Sequence, residues 1–349
     1  MSRAPQRRTR RRRSTAPLAA VPEEPRPLRV LVTGASGMLG RRTAERLVGA
    51  GHDVRTFQRR PAQVPGASDV LGSLTDPAAV ARAVEDRDAV IHLAAKVSVS
   101  GPRHEYERVN IEGTRTLLTA ARMVGVRRFV QVSSPSVAHT GGSLVGVGAG
   151  PAEPELARGN YARTKAAAER LALQADDAEL AVVAVRPHLV WGPGDTQLVA
   201  RIIERARAGR LPLLDHGAVL VDSVYVDNAA DALVAALEHA PRAHGQALVV
   251  TNGEPRPVGD LIAGICRAAG APVPSWRVPA GLARAAGALV EAAWSVRPGR
   301  DEPPMTRFLA EQLSTAHWFD QRRTREVLGW EPAVSIDEGL ARLAEHYRG

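Results

Sequence analysis

Cysteine is almost absent. Cys266 stands alone in 349 residues, so no internal disulfide can form. Its setting, Leu261-Ile-Ala-Gly-Ile-Cys266, has the apolar spacing of a buried helix face, and a reducing cytoplasm is the expected compartment. No uninterrupted apolar run reaches about 18 residues, which excludes an ordinary membrane-spanning helix. The amino-terminal segment also lacks the apolar stretch of a secretory signal. Lysine is nearly as scarce as cysteine: of 46 basic residues only Lys96 and Lys165 are not arginine. A chain so committed to guanidinium keeps an ammonium where a compact or tunable charge is needed, which marks both lysines as functional candidates. His92, His139 and His188 have no metal-ligand spacing among themselves or with Cys266, and no metal is expected.

What is there reads as globular: 44% hydrophobic and 24% charged residues, with regular turn signals. The net charge of +9 would suggest nucleic acid if it were spread evenly, but eight Arg and two Glu within residues 1–28 account for +6 of it. Residues 1–27 are rich in Arg, Pro and Ala without an apolar period and are expected to be a disordered arm. A solvated tail is the preferred reading over a polyanion-binding arm or a transit peptide, so nucleic acid is not an expected partner.

The run Leu28-Arg-Val-Leu-Val-Thr33 has strand composition, and Met38 to Ala50 has helical spacing through Leu39, Ala44, Leu47 and Val48. Between them lies Thr33-Gly34-Ala35-Ser36-Gly37-Met38-Leu39-Gly40, whose glycines allow a tight turn, close approach of backbone to a pyrophosphate and helix-on-strand packing. Phosphates would face the helix amino terminus. The next strand, His52 to Phe57, runs into Gln58-Arg59-Arg60, about 20 residues on, where a carboxylate would select the ribose 2′-OH of NAD(H). Two guanidiniums there favour the 2′-phosphate of NADP(H), with NAD(H) kept as an alternative. A strand near Asp69 to Leu71, a helix from Asp76 to Val84 and a buried strand Ala89 to Leu93 continue the alternation of a parallel doubly wound α/β sheet. Leu93, Ala94, Ala95 and Lys96 would lie at a carboxyl edge where ligands bind. Asn110 is expected to open a helix reaching Val124, and Arg127 to Ser134 is the next strand.

Ser134 ends that strand, and Asn160-Tyr161-Ala-Arg-Thr-Lys165 follows, with Tyr161 and Lys165 four residues apart on one helical face. Reducing a ketone needs a proton for the forming alkoxide, and free tyrosine, with a pKa of about 10, is a poor acid–base group at neutral pH. A neighbouring ammonium would lower that pKa, and a serine hydroxyl can hydrogen-bond the carbonyl oxygen as charge develops on it.

With these motifs in place, the chain from Leu28 to Leu343 resembles the extended short-chain dehydrogenase/reductase family. The resemblance implies a Rossmann sheet over residues 28–190, with residues 191–349 mainly a smaller substrate-binding cap from which some segments return to the core. It implies Ser134, Tyr161 and Lys165 as catalytic residues with Asn110 supporting the proton relay; Ser133 is the fallback for Ser134. Gly34, Ser36, Gly37, Met38, Leu39, Gly40, Arg59, Arg60, the 93–96 segment, Tyr161, Lys165, Pro187 and Val190 would contact the cofactor. Gly72-Ser73-Leu74 departs from the family's usual Gly-Asp-Leu, so a carboxylate often near the adenine is missing.

Within the family, Val185-Arg186-Pro187-His188-Leu189-Val190-Trp191-Gly192-Pro193-Gly194-Asp195, Val221 to Ala229, Glu302 to Phe308 and Ser314 to Phe319 resemble the 3β-hydroxysteroid dehydrogenase branch. Phe57-Gln58-Arg59, Pro135-Ser-Val and Asn252-Gly-Glu-Pro255 are similar to bacterial reductases of 2-alkyl-3-oxoalkanoates in long-chain olefin biosynthesis. The implied activity is NADPH-dependent reduction of a 3-keto acid to the 3-hydroxy acid. A steroid dehydrogenase, a nucleotide-sugar epimerase or reductase, and a non-catalytic NADP-sensing or nucleic-acid-associated protein are the alternatives. Lys96, Ser136 and Trp191 are the substrate candidates, Lys96 as partner of the acid's carboxylate. Pro279 to Val296 is expected to be a cap helix over an apolar substrate, a helix resting on a membrane surface, or a core helix. A homodimer through the helices near Asn110 and Tyr161, and an assembly with other pathway enzymes, are further family-based expectations.

Overall fold

The computed structural model describes residues 27–97, 101–296 and 314–348. Residues 1–26 of the expected arm and the Glu302–Phe308 block lie outside the described residues. The first unit alternates strand and helix: β1 (Arg29–Thr33), α1 (Met38–Gly49), β2 (Asp53–Gln58), β3 (Ser68–Leu71), α2 (Pro77–Val84) and β4 (Ala89–His92). It continues through α3 (Gly113–Met123), β5 (Arg128–Val132), α4 (Gly159–Gln174), β6 (Ala181–Pro187), α5 (Val226–Glu238) and β7 (Gln246–Val250). Asp76 caps α2 by accepting from the amides of Ala78 and Ala79, at the start of the helix expected from Asp76 to Val84.

The seven strands form one parallel sheet in the order β7-β6-β5-β4-β1-β2-β3. The order reverses between β1 and β4, which opens a crevice at their carboxyl ends. All four residues of β4 and six of the seven in β6 are buried, the continuous apolar reading that a sheet covered on both faces requires. Segments 226–250 return to this sheet after the chain has entered the cap: α5 packs on α1, and β7 adds an edge beside β6.

One boundary differs from the sequence reading. Asn110 does not open a helix; the run begins at Arg103–Tyr106, widens into a π turn over Glu107–Glu112, and only then becomes α3. Asparagine is a favoured helix cap by type, but here tertiary hydrogen bonds hold it, 2% exposed, inside the run.

The cap has its own core, in which the helices Val199–Arg207, Val258–Ala268 and Ile336–Arg348 gather Ile202, Ile265, Leu343 and the buried Cys266 around Trp191 and Tyr225. The helix Ala280–Val296 buries Ala283 against Leu214 and turns Leu282 and Leu289 outward. Among the described residues no helix is long and apolar enough to cross a membrane.

The contact that fixes α4 on the sheet is ionic. Arg186 of β6 donates to Glu169 of α4 through Nε at 2.9 Å and Nη2 at 2.5 Å, and its Nη1 donates to the Gly150 carbonyl at 2.7 Å. Both side chains are 1% exposed. Removing one partner leaves a buried uncompensated charge, so Glu169→Gln is expected to lower unfolding stability by about 3–5 kcal/mol. The double variant Glu169→Met/Arg186→Met should recover most of that loss in a denaturant titration. Equal loss in both would show that the charges are not what holds the helix.

Candidate active site

The turn between β1 and α1 folds as its glycines require. Gly34 adopts φ +79°, and a Cβ there would stand 2.9 Å from the amide nitrogen of Ala94. Gly40 packs beneath it, where a Cβ would stand 2.8 Å from the Gly34 carbonyl carbon. The turn thereby presses against the end of β4 and leaves Gly37 at the amino terminus of α1, with no acidic residue in the first turn. A groove of about 430 Å³ runs from this turn along the sheet's carboxyl edge.

Gly34, Ser36, Gly37, Arg59, Arg60 and Leu93 to Lys96 all line that groove, so the structure brings together most of the expected cofactor residues. Arg59 and Arg60 are exposed on the loop after β2. Behind them the Asp69 carboxylate accepts from Thr56 and from Gln58 at 2.7 Å, with Ala62 N at 3.4 Å, which anchors the loop. These bonds hold Asp69 below its ordinary carboxylate range against the opposing effect of burial. Ser73 and Leu74 face the same space, and Arg108 of the π turn lines it too, a cation that no sequence motif marks. Backbone donors at a helix start with nearby guanidiniums make a donor set suited to a dinucleotide's phosphates. Met38 and Leu39 instead pack toward the cap core, and Pro187 and Val190 sit in strand pairs with Val250 and Val224 outside the groove's lining.

At the end of β5, Ser134 caps a short 3-10 turn, its hydroxyl accepting from Ser136 N at 3.3 Å and from Ser136 Oγ at 3.0 Å. Ser134 also hydrogen-bonds the Tyr161 hydroxyl. Ser133 is the inward residue of the pair, its Oγ buried with no hydrogen-bond partner among the described residues. Lys165 is 4% exposed, and its Nζ donates to the carbonyl of Val132.

The pKa shifts depart from the sequence expectation. Burial pushes Tyr161 up to about 12, with the Ser134 bond pulling against it. Burial also pushes Lys165 down to about 8, with Glu169, one turn along the same face, holding it up. The sequence predicts that the ammonium depresses the phenol; here burial raises it, and the Lys165 ammonium donates instead to a backbone carbonyl of β5.

Asn110 joins the 93–96 segment to α4. Its Oδ1 accepts from Lys96 N at 2.7 Å, while Nδ2 donates to the Lys96 carbonyl at 3.2 Å and to Thr164 Oγ1 at 3.0 Å. The Lys96 ammonium lies 2.8 Å from Glu105 and 5.2 Å from the Tyr106 ring centre, so the cation expected to meet a substrate carboxylate already has an acid. Trp191 also needs correction as a substrate residue: it is fully buried, donates to Ser223 at 3.0 Å and stacks edge-on against Tyr225. The indole supports the cap from within because the cap core closes around it.

The fold brings His139 and His188 together with His317, their ring centres 4.9 Å and 5.6 Å from that of His317. Burial lowers His188 to about 4 and His317 to about 3. Among the described residues no group of three or more His, Cys, Asp or Glu side chains has the arrangement of a metal site.

A sequence profile of the NAD dependent epimerase/dehydratase family matches residues 30–251. The 2-alkyl-3-oxoalkanoate reductase of Stenotrophomonas maltophilia (strain K279a) is 44% identical over 324 residues, covering 90% of this chain and 98% of that protein. The 3-beta-hydroxysteroid dehydrogenase of Mycolicibacterium neoaurum is 31% identical over 337 residues, 91% of each. Among solved structures, MoeE5 in complex with UDP-glucose and NAD superposes with a TM-score of 0.70 at 28% identity, covering 91% of this chain and 98% of that one. The chain thus belongs to the NAD dependent epimerase/dehydratase family of extended short-chain dehydrogenases/reductases and is an NAD(P)-dependent oxidoreductase.

Proposed function

We propose that this protein reduces the 3-keto group of a long-chain 2-alkyl-3-oxoalkanoic acid to the 3-hydroxy acid with NADPH, and runs the reverse reaction when NADP⁺ is supplied. The substrate reading rests on one observation, the 44% identity to a 2-alkyl-3-oxoalkanoate reductase across nearly the whole of both chains. The preference for NADPH rests on Arg59 and Arg60 at the end of β2, where no carboxylate is available to select a free 2′-OH.

The chemistry that NADPH supplies when bound is a hydride for the carbonyl carbon. What this chain adds is a proton and a field. Tyr161, protonated across the working range because its pKa is about 12, donates its phenolic proton to the oxygen as the alkoxide forms. Ser134, which hydrogen-bonds the Tyr161 hydroxyl in the free protein, turns its single proton to that oxygen and orients it as charge develops. Lys165, cationic below about pH 8, stabilises the phenolate left behind. The Val132 carbonyl and Glu169 hold the ammonium on the sheet side of Tyr161.

Three outcomes are expected. Tyr161→Phe should lose about 10²–10⁴-fold in kcat with the keto acid, followed by NADPH absorbance and checked against the reverse reaction to discount decarboxylation. A 3-ketosteroid assayed beside it separates the two relatives' substrates: turnover of the steroid alone would overturn the keto-acid reading while leaving the chemistry. Arg59→Ala/Arg60→Ala should raise the NADPH KM by roughly 10–100-fold, the loss of charge-assisted bonds, and leave the NADH KM nearly unchanged. Finally, kcat/KM for reduction should fall as pH rises through about 8, when Lys165 loses its proton, and the residual rate of Lys165→Met should lack that limb.

A further inference from the structure

His92 closes β4 among fully buried neighbours, and neither composition nor motif gave it a task. Its Nδ1 lies 2.7 Å from Thr33 Oγ1 and its Nε2 3.0 Å from Thr114 Oγ1. The direction of each bond follows from the hydroxyls. Thr114 spends its single proton on the Asn110 carbonyl at 2.7 Å, so it can only accept from His92, and Nε2 must carry the ring proton. Nδ1 is then an acceptor, Thr33 donates to it, and the Thr33 oxygen accepts the Ala94 amide at 3.1 Å. No member of the chain is left unsatisfied.

We propose that His92 is a positioning residue, fixed as the neutral Nε2–H tautomer, that ties the cofactor-facing end of β4 to the catalytic helix. One arm runs through Thr33 to the Ala94 amide and sets the wall against which Gly34 packs. The other runs through Thr114 to the carbonyl of Asn110 in the π turn. From there the Asn110 side chain reaches Thr164, whose hydroxyl donates to the Asn160 carbonyl in the first turn of α4. All five side chains of this chain are at most 2% exposed. Burial and the Lys165 charge lower His92 to about 3, so the pattern persists wherever the protein is folded and active.

The proposal rests on Tyr161 and Lys165 being the reacting pair, and two readouts need no substrate. In the wild-type protein, two-bond proton–nitrogen correlations of histidine should give His92 as Nε2–H, unchanged by pH above roughly 5. An Nδ1–H tautomer or an imidazolium there would overturn it, whatever the variants do.

His92→Asn places an amide oxygen where Nδ1 was and keeps the Thr33 arm; His92→Gln places an amide nitrogen where Nε2 was and keeps the Thr114 arm. His92→Gln should raise the Kd for NADPH by about tenfold and lower kcat less, while His92→Asn should lower kcat by about tenfold and raise Kd less. Parallel changes in both constants, tracking lost thermal stability, would reduce His92 to a structural residue and sink the proposal. Failure of the keto-acid assignment would leave the spectrum and the dinucleotide affinities standing.

Discussion

Helix α4 lies on the sheet with a polar stripe facing inward, and the Arg186–Glu169 ion pair is what makes that orientation tolerable. Tyr161, Lys165 and Glu169 recur every four residues and share one face. Lysine and glutamate buried there would each be costly alone. Arg186 neutralises Glu169 in a forked contact, Glu169 in turn supports the charge of Lys165, and Lys165 closes on the Val132 carbonyl. Ala162, Ala166, Ala168 and Ala172, all buried, let the helix approach closely enough for these short bonds to form. Tyr161 and Lys165 therefore inherit their place from a charge balance spanning two strands and one helix.

A second set of constraints places the groove at the sheet's carboxyl edge. The parallel order reverses at β1 and β4, and the glycine turn presses against Ala94 because no side chain intervenes. Asn110 then links the Lys96 backbone to Thr164, so the groove wall is hydrogen-bonded to the first turn of α4. The π turn follows from this geometry: an ordinary helical turn would place Asn110 elsewhere on the circumference, and the extra residue lets it face both partners.

The groove is lined by residues of the first unit alone, among them Lys96 and Arg108, and the residues of the cap core face one another. Trp191 and Tyr225 form the centre of that core, while Lys96, the residue suited by type to meet a carboxylate, is matched by Glu105 at the groove mouth. An acid-bearing substrate would have to compete with that carboxylate for the ammonium.

Much of this was legible in the sequence because it depends on local pattern. The Gly34–Gly40 turn, the strand–helix alternation and the four-residue spacing of Tyr161 and Lys165 are properties of a few adjacent residues, and steric and helical periodicity fix their outcome. Cys266 on a buried helix face was legible for the same reason. What local pattern could not settle was which polar groups meet across the fold. Asn110 is a helix opener by type and is a bridge in the fold; Trp191 is a pocket candidate by position and is core; His92 lies in a buried strand by pattern and is a hydrogen-bonded tie. Glu169 and Arg186 lie 17 positions apart on different elements, and nothing in either neighbourhood indicates the other. By itself the sequence determined the elements, their order and the residue types available for catalysis. Only the tertiary structure decided the charge states and hydrogen-bond directions, because desolvation and partner geometry belong to the packed interior and have no counterpart along the chain.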